Sequence, residues 1–244
     1  MKIVGIDLAW KSENTTTALA IGELDRDIFR IDRVCEAVAG LDEIIYRIDL
    51  EHEVRGVVID APLIIANKFG ARPCEKALSR VYGARWASCH ATNLTLYPNP
   101  SSSALSRRLQ EKYFQHLSSP IRSRWQLECY PHPAIIEIFG LSRRLPYKKG
   151  SIDKKQQGQV NLARLIKSLE KSHTLKIKVE NSAQQFLREE IIFSKRGVKL
   201  KQNEDALDSM ICAYIGALYA RFGQDKIFGS TETGYIYVPQ RKCI

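Results

Sequence analysis

The chain has 244 residues, 44% hydrophobic and 26% charged, enough apolar material for an ordinary core, and this balance excludes wholesale disorder. A formal net charge of +10 favours polyanionic partners, nucleic acid first and acidic membranes or phosphorylated small molecules after. There is no apolar run of about eighteen residues, so no membrane span is expected, and the first residues lack the basic leader and apolar segment of a signal peptide.

The first apolar run, residues 2–8, reads as a strand and carries Asp7 near its end. Residues 15–24 and 28–36, rich in Thr, Leu, Ile and Val, read as two further strands around the polar break Asp25-Arg26-Asp27, together a hairpin. Leu41, Ile44, Ile45 and Ile48 recur at helical spacing and predict a helix over 40–51. Gly56 to Asp60 is continuously apolar until its final acid, as a buried parallel strand is.

Residues 61–124 read as an irregular basic insertion, with Pro73, Pro98, Pro100, Pro120 and a run of three serines at 101–103. Leu105, Leu109 and Phe114 suggest one short helix inside it. A fifth strand is expected at about 125–130, and a short helix at 133–140 closed by Gly140. Helices are then predicted over 153–171, about 182–193 and about 203–222, with a closing strand at 234–239. Six scattered cysteines without a Cys-x-x-Cys pair read as reduced, mostly buried thiols of a cytoplasmic protein, and give no support to a zinc ribbon.

Three hairpin-linked strands followed by two strands reached through crossover helices is the ribonuclease H-like order. Right-handed crossovers place the fourth strand beside the first. The expectation is therefore a single α/β domain over 1–244, with a mixed five-stranded sheet of order 3-2-1-4-5 flanked by helices. In that sheet Asp7 and Asp60 end neighbouring strands, where ligands of α/β sheets gather.

Each acid has a bland alternative. Asp60 before Ala61-Pro62 could cap a turn, and Asp205 could complement the dipole at the start of the last helix. Asp205 and Asp208 lie three apart, so they share a helical face and repel unless a divalent metal, Arg or Lys sits between them. Together with Asp7 and Asp60, either of them could hold a metal. Glu128, at the end of the fifth strand, could join from the side or pair with a basic loop.

Several ordered motifs carry a family resemblance: Gly5-Ile6-Asp7-Leu8-Ala9-Trp10, Ile59-Asp60-Ala61-Pro62-Leu63, Arg72-Pro73-Cys74-Glu75, Glu128-Cys129-Tyr130-Pro131-His132-Pro133, Pro146-Tyr147-Lys148-Lys149-Gly150 and Glu204-Asp205-Ala206-Leu207-Asp208-Ser209. With these, nearly the whole chain resembles domain-of-unknown-function family 429, described as predicted nucleases of ribonuclease H-like fold. Two positions depart from the family pattern without removing an acid. Glu75 stands where Asp is common, and Ser209 follows Asp208 where Ala is common.

The resemblance implies that Asp7, Asp60, Asp205 and Asp208 hold two magnesium or manganese ions. One would activate water for attack on phosphorus, and the other would stabilise the leaving oxygen about 4 Å away. Oxygen ligands select these ions over zinc. The expected activity is metal-dependent hydrolysis of phosphodiester bonds in DNA or RNA.

Arg72, Arg80, Arg85, Arg107 and Arg108, with Arg143, Arg144, Lys148 and Lys149, are candidates for phosphate contact, against a reading as solvated loop charge. Trp10 and Trp86 could stack on bases, against a core or lid role. Adjacent Cys89 and His90 diverge in a strand and make a poor nucleophile pair. A non-catalytic nucleic-acid-binding scaffold is the alternative. An actin-like or sugar-kinase-like phosphotransferase is disfavoured by the shortness of the chain and the lack of a Gly-x-Gly loop. No dimer seam is legible, although junction resolvases of this fold act as dimers.

Overall fold

A computed structural model describes residues 1–10 and 16–244. The first strand, β1 (Lys2–Asp7), is followed by β2 (Thr17–Asp25) and β3 (Ile28–Val38), which form the expected hairpin. Thr15, the predicted start of the second strand, lies outside the described residues. Then come α1 (Gly40–Asp49), β4 (Val54–Asp60), α2 (Pro73–Tyr82), α3 (Ser101–Glu111), β5 (Phe114–His116), β6 (Arg124–Glu128) and α4 (Pro131–Ile138). The rest is α5 (Ile152–Ser168), β7 (Lys176–Val179), α6 (Asn181–Gln184), α7 (Glu189–Ser194), α8 (Gly197–Phe222), β8 (Lys226–Ser230) and β9 (Gly234–Val238).

The main sheet has seven strands, not five, in the order β5-β6-β4-β1-β2-β3-β7. β5 and β7 are the additional edge strands. Both are short, three and four residues; β7 (Lys176–Val179) does alternate, with Ile177 and Val179 buried, but over only two cycles. Only the pairs that β2 makes with β1 and β3 are antiparallel; β1–β4, β4–β6, β5–β6 and β3–β7 are parallel.

Side chains alternate across the sheet and sort into two cores. Ile3 of β1, Val58 of β4 and Trp125 and Leu127 of β6 pack on the face covered by α4, α5 and α8. Val4, Ile6, Val57 and Ile59 pack on the opposite face, under α1 and α3.

Within 61–124, expected to be irregular apart from one short helix, loops alternate with two helices, α2 and α3, and the strand β5. Pro73 sits in the first turn of α2, Glu75 closes a capping box on Arg72, and Cys74, Leu78 and Tyr82 supply the buried stripe. That stripe packs on the antiparallel β8–β9 hairpin as a third, smaller core. Phe114 leaves the predicted helix and enters β5.

The predicted helix at 182–193 is broken. A tight 3-10 turn, Gln185–Leu187, separates α6 from α7. The last helix is longer than predicted and starts at Gly197, so Asp205, expected at its start, lies well inside it, as do Glu204 and Asp208. Among the described residues, no helix is long and apolar enough to cross a membrane.

Candidate metal centre

In β1, Asp7 has the same parity as Ile3 and Gly5, and in β4, Asp60 has that of Val58. Both acids therefore face α8. They are register partners across the parallel β1–β4 pair, each at the C-terminal end of its strand. α8 crosses directly above because Gly5 has no side chain. A Cβ there would lie 2.1 Å from the Ala213 nitrogen and 2.3 Å from the Ser209 oxygen. That close approach sets Asp208 over the two strand ends. Carboxylate oxygens of Asp7, Asp60 and Asp208 all lie within 4.8 Å of one another.

The base of the cluster is dry and its mouth is open. Asp208 is fully buried, whereas Asp7 and Asp60 are partly exposed. The buried Tyr147 hydroxyl donates to Asp208 Oδ1 at 2.6 Å. Lys148 Nζ lies 2.6 Å from Asp208 Oδ2 and 3.9 Å from Asp60 Oδ2. The nearer contact is ionic but off the line of a hydrogen bond, so Oδ2 remains a buried acceptor without a donor.

Burial pushes the Asp60 carboxyl up to about 7, with Lys148 opposing and Asp208 adding to the shift. Burial likewise holds Asp7 well above the usual carboxylate range, against Lys148 and reinforced by Asp208, Asp60 and Asp205. Burial disfavours the Lys148 charge, but Asp208, Tyr147, Asp7 and Asp60 outweigh it and raise the ammonium well above its ordinary value.

Asp205 stands at the edge of this group. It ion-pairs with Lys201, which also lies 2.8 Å from Glu204. Burial raises the Asp205 carboxyl, with Lys201 opposing.

Glu128 does not join from the side. It pairs in register with Ile59, so it points to the opposite face of the sheet from Asp60. There it accepts from Arg72 Nη1 at 2.9 Å, Arg72 Nη2 at 2.5 Å and the Leu63 amide at 2.8 Å. Arg72 also donates through Nε to Glu75 at 2.9 Å. The Arg72 guanidinium is only 2% exposed and saturated by protein, so its expected phosphate contact is corrected to a buried structural clamp.

The other basic residues divide. Arg80 and Lys149 are exposed. Arg85 is held by Glu137 at 2.6 Å and by the Leu141 and Ser142 carbonyls, and so ties the turn after α2 to the loop after α4. Lys148 sits inside the acid cluster rather than on the rim. Trp86 is 56% exposed, with the Arg143 guanidinium 4.3 Å from its ring centre. Trp10 packs edge-on against Tyr97 at 4.7 Å. Burial raises the Cys89 thiol, so it is no ready thiolate.

Tyr147 was missed as a site residue. Its motif, Pro146-Tyr147-Lys148-Lys149-Gly150, carries the family resemblance and offers its two lysines for phosphate contact, and an aromatic beside them gives no sign that it faces a carboxylate.

The residues fit a hard divalent cation: the donors are all oxygens, one is a buried acceptor without a hydrogen bond, and the acids outnumber the one lysine among them. A family model described as protein of unknown function (DUF429) matches residues 5–230, a span that includes every acid of the cluster. No curated protein and no solved structure matches the chain.

Proposed function

The chain belongs to the DUF429 family of proteins of unknown function, and from that premise we propose that it is a divalent-metal-dependent phosphodiesterase of ribonuclease H-like fold acting on nucleic acid. The observation that carries the reading is the convergence of Asp7, Asp60 and Asp208 at the ends of two parallel strands and on one crossing helix. The net charge of +10 and the exposed Arg80 and Lys149 suit a polyanionic substrate.

Asp7, Asp60 and Asp208 would hold magnesium or manganese, with Asp205 in reserve at the edge. The ion supplies positive charge that activates water and neutralises the scissile phosphate. The protein's own residues do the positioning. Tyr147 occupies Oδ1 of Asp208 and fixes its carboxylate plane, which leaves Oδ2 directed into the cluster. The buried base excludes bulk water, and this strengthens every charge interaction inside. The open side, at Asp7 and Asp60, is the side from which a phosphodiester can enter.

The test is cleavage of labelled DNA and RNA, single-stranded, duplex and branched, with magnesium or manganese titrated in. We expect metal-dependent cleavage that falls by roughly a hundredfold or more in Asp7→Asn, the scale on which loss of a main electrostatic stabiliser is felt. Asp208→Asn should also weaken it. Full activity in Asp7→Asn would sink the metal reading, and metal-independent binding without cleavage would leave a scaffold.

A further inference from the structure

We propose that the Lys148 ammonium serves as a fixed cation of the acid cluster, so that the centre takes up a single divalent ion. This rests on the metal reading above. The first argument is position. Nζ lies between two acids that reach it from different elements, Asp208 of α8 and Asp60 of β4, at 2.6 and 3.9 Å.

The second argument is rigidity. The Pro146-Tyr147 backbone is clamped against α5 at Gly158, where a Cβ would lie 2.1 Å from the Pro146 oxygen and 2.5 Å from the Tyr147 Cα. Tyr147 itself is fully buried, hydrogen-bonded to Asp208 and packed against the His132 ring at 5.4 Å. Lys148 therefore enters the cluster from a seated backbone, unlike a surface lysine that happens to swing inward.

The third argument is charge. When ionised, Asp7, Asp60 and Asp208 carry three negative charges. Lys148 returns one, and the remaining two match one divalent ion. At its edge Lys201 meets both Glu204 and Asp205, a trio that carries one further negative charge when ionised, so one divalent ion leaves a single negative charge and two leave a positive one. A second divalent ion beside Lys148 would leave uncompensated positive charge in a partly buried site, which is costly. With Lys148 neutralised by substitution, the same three acids can accept a second ion.

The experiment counts manganese ions bound per chain, by calorimetric titration and by the spin-resonance signal of the free ion. It uses the full-length wild type, Lys148→Met and Asp208→Asn. The wild type should bind one ion, and Lys148→Met should bind two. Lys148→Gln gives a second neutral replacement should the first fail to fold, and Lys148→Arg should stay at one. Two ions in the wild type overturn the inference, as does one ion in both the wild type and a folded neutral variant. No uptake by the wild type overturns the metal reading itself, and the inference falls with it.

Discussion

The Asp60 carboxyl, pushed up to about 7 by burial and by Asp208 against the pull of Lys148, ties stability to pH and to metal. An acid whose pKa is higher in the fold than in the unfolded chain binds its proton more tightly when folded. Its contribution is fully present below the unfolded value of 3.8 and is lost as pH rises through about 7. Asp7 and Asp205 shift in the same direction. His116, lowered to about 4 by burial, and His132, held well below its ordinary value by burial and by Lys148, Arg144 and Lys149, run the other way. Their contribution is lost as pH falls through those depressed values.

Neither histidine belongs to the acid cluster, so both largely cancel when melting temperatures with and without manganese are subtracted. The rise in melting temperature on adding manganese should be several degrees at about pH 8 and close to nil at about pH 5, because the ion must displace protons from the acids. Equal shifts at both pH values would show that the ion binds somewhere else.

Among elements, the contact between α8 and β1 decides whether the acids meet. At Gly5 the helix backbone rests on the strand, and at Gly216 it meets Val58 and Ile3 side chains. Gly5→Ala should lift α8 away from β1. The expected cost is about 1–3 kcal/mol from overpacking, read by denaturant unfolding, with at least a tenfold loss of manganese affinity. A variant with wild-type stability and affinity would show that the helix has slack at this point.

The sequence made Asp7 and Asp60 legible because each ends an apolar strand, and a period of two assigns them to one face. It made Asp208 legible by helical spacing, but it left Asp205 as an equal candidate. Only the packing angle of α8 separates the two. Glu128 could have been excluded from the same alternation, since it lies one residue out of phase with Leu127 and Cys129. Helix α2 left a readable signature in Pro73, Glu75 and the Cys74, Leu78, Tyr82 stripe, which was obscured by the prolines around it. Lys148 and Arg72 were placed on the surface because their charge argues for water. Nothing local to either residue announces the carboxylates that bury Arg72 and hold the half-buried Lys148.

For the whole molecule, net charge of +10 coexists with a negative pocket. The field at long range is set by the surplus of lysine and arginine, and the acids dominate only inside the cleft. Nucleic-acid affinity should therefore fall by roughly tenfold or more between about 50 and about 200 mM salt, linearly on a double-logarithmic plot, as phosphate contacts release counterions. Filter binding with Asp7→Asn and without divalent metal, where any turnover is expected to be slowest, measures this. A flat salt response would argue against phosphate-backbone recognition.

The three acids stand at positions 7, 60 and 208, and the last reaches the others only once α8 has laid itself across β1 and β4. During translation at about 5–20 residues per second, all seven strands of the main sheet are therefore made before the helix that carries the third acid. The three acids meet late in synthesis, when the helix docks, and no earlier fragment of the chain can present them together.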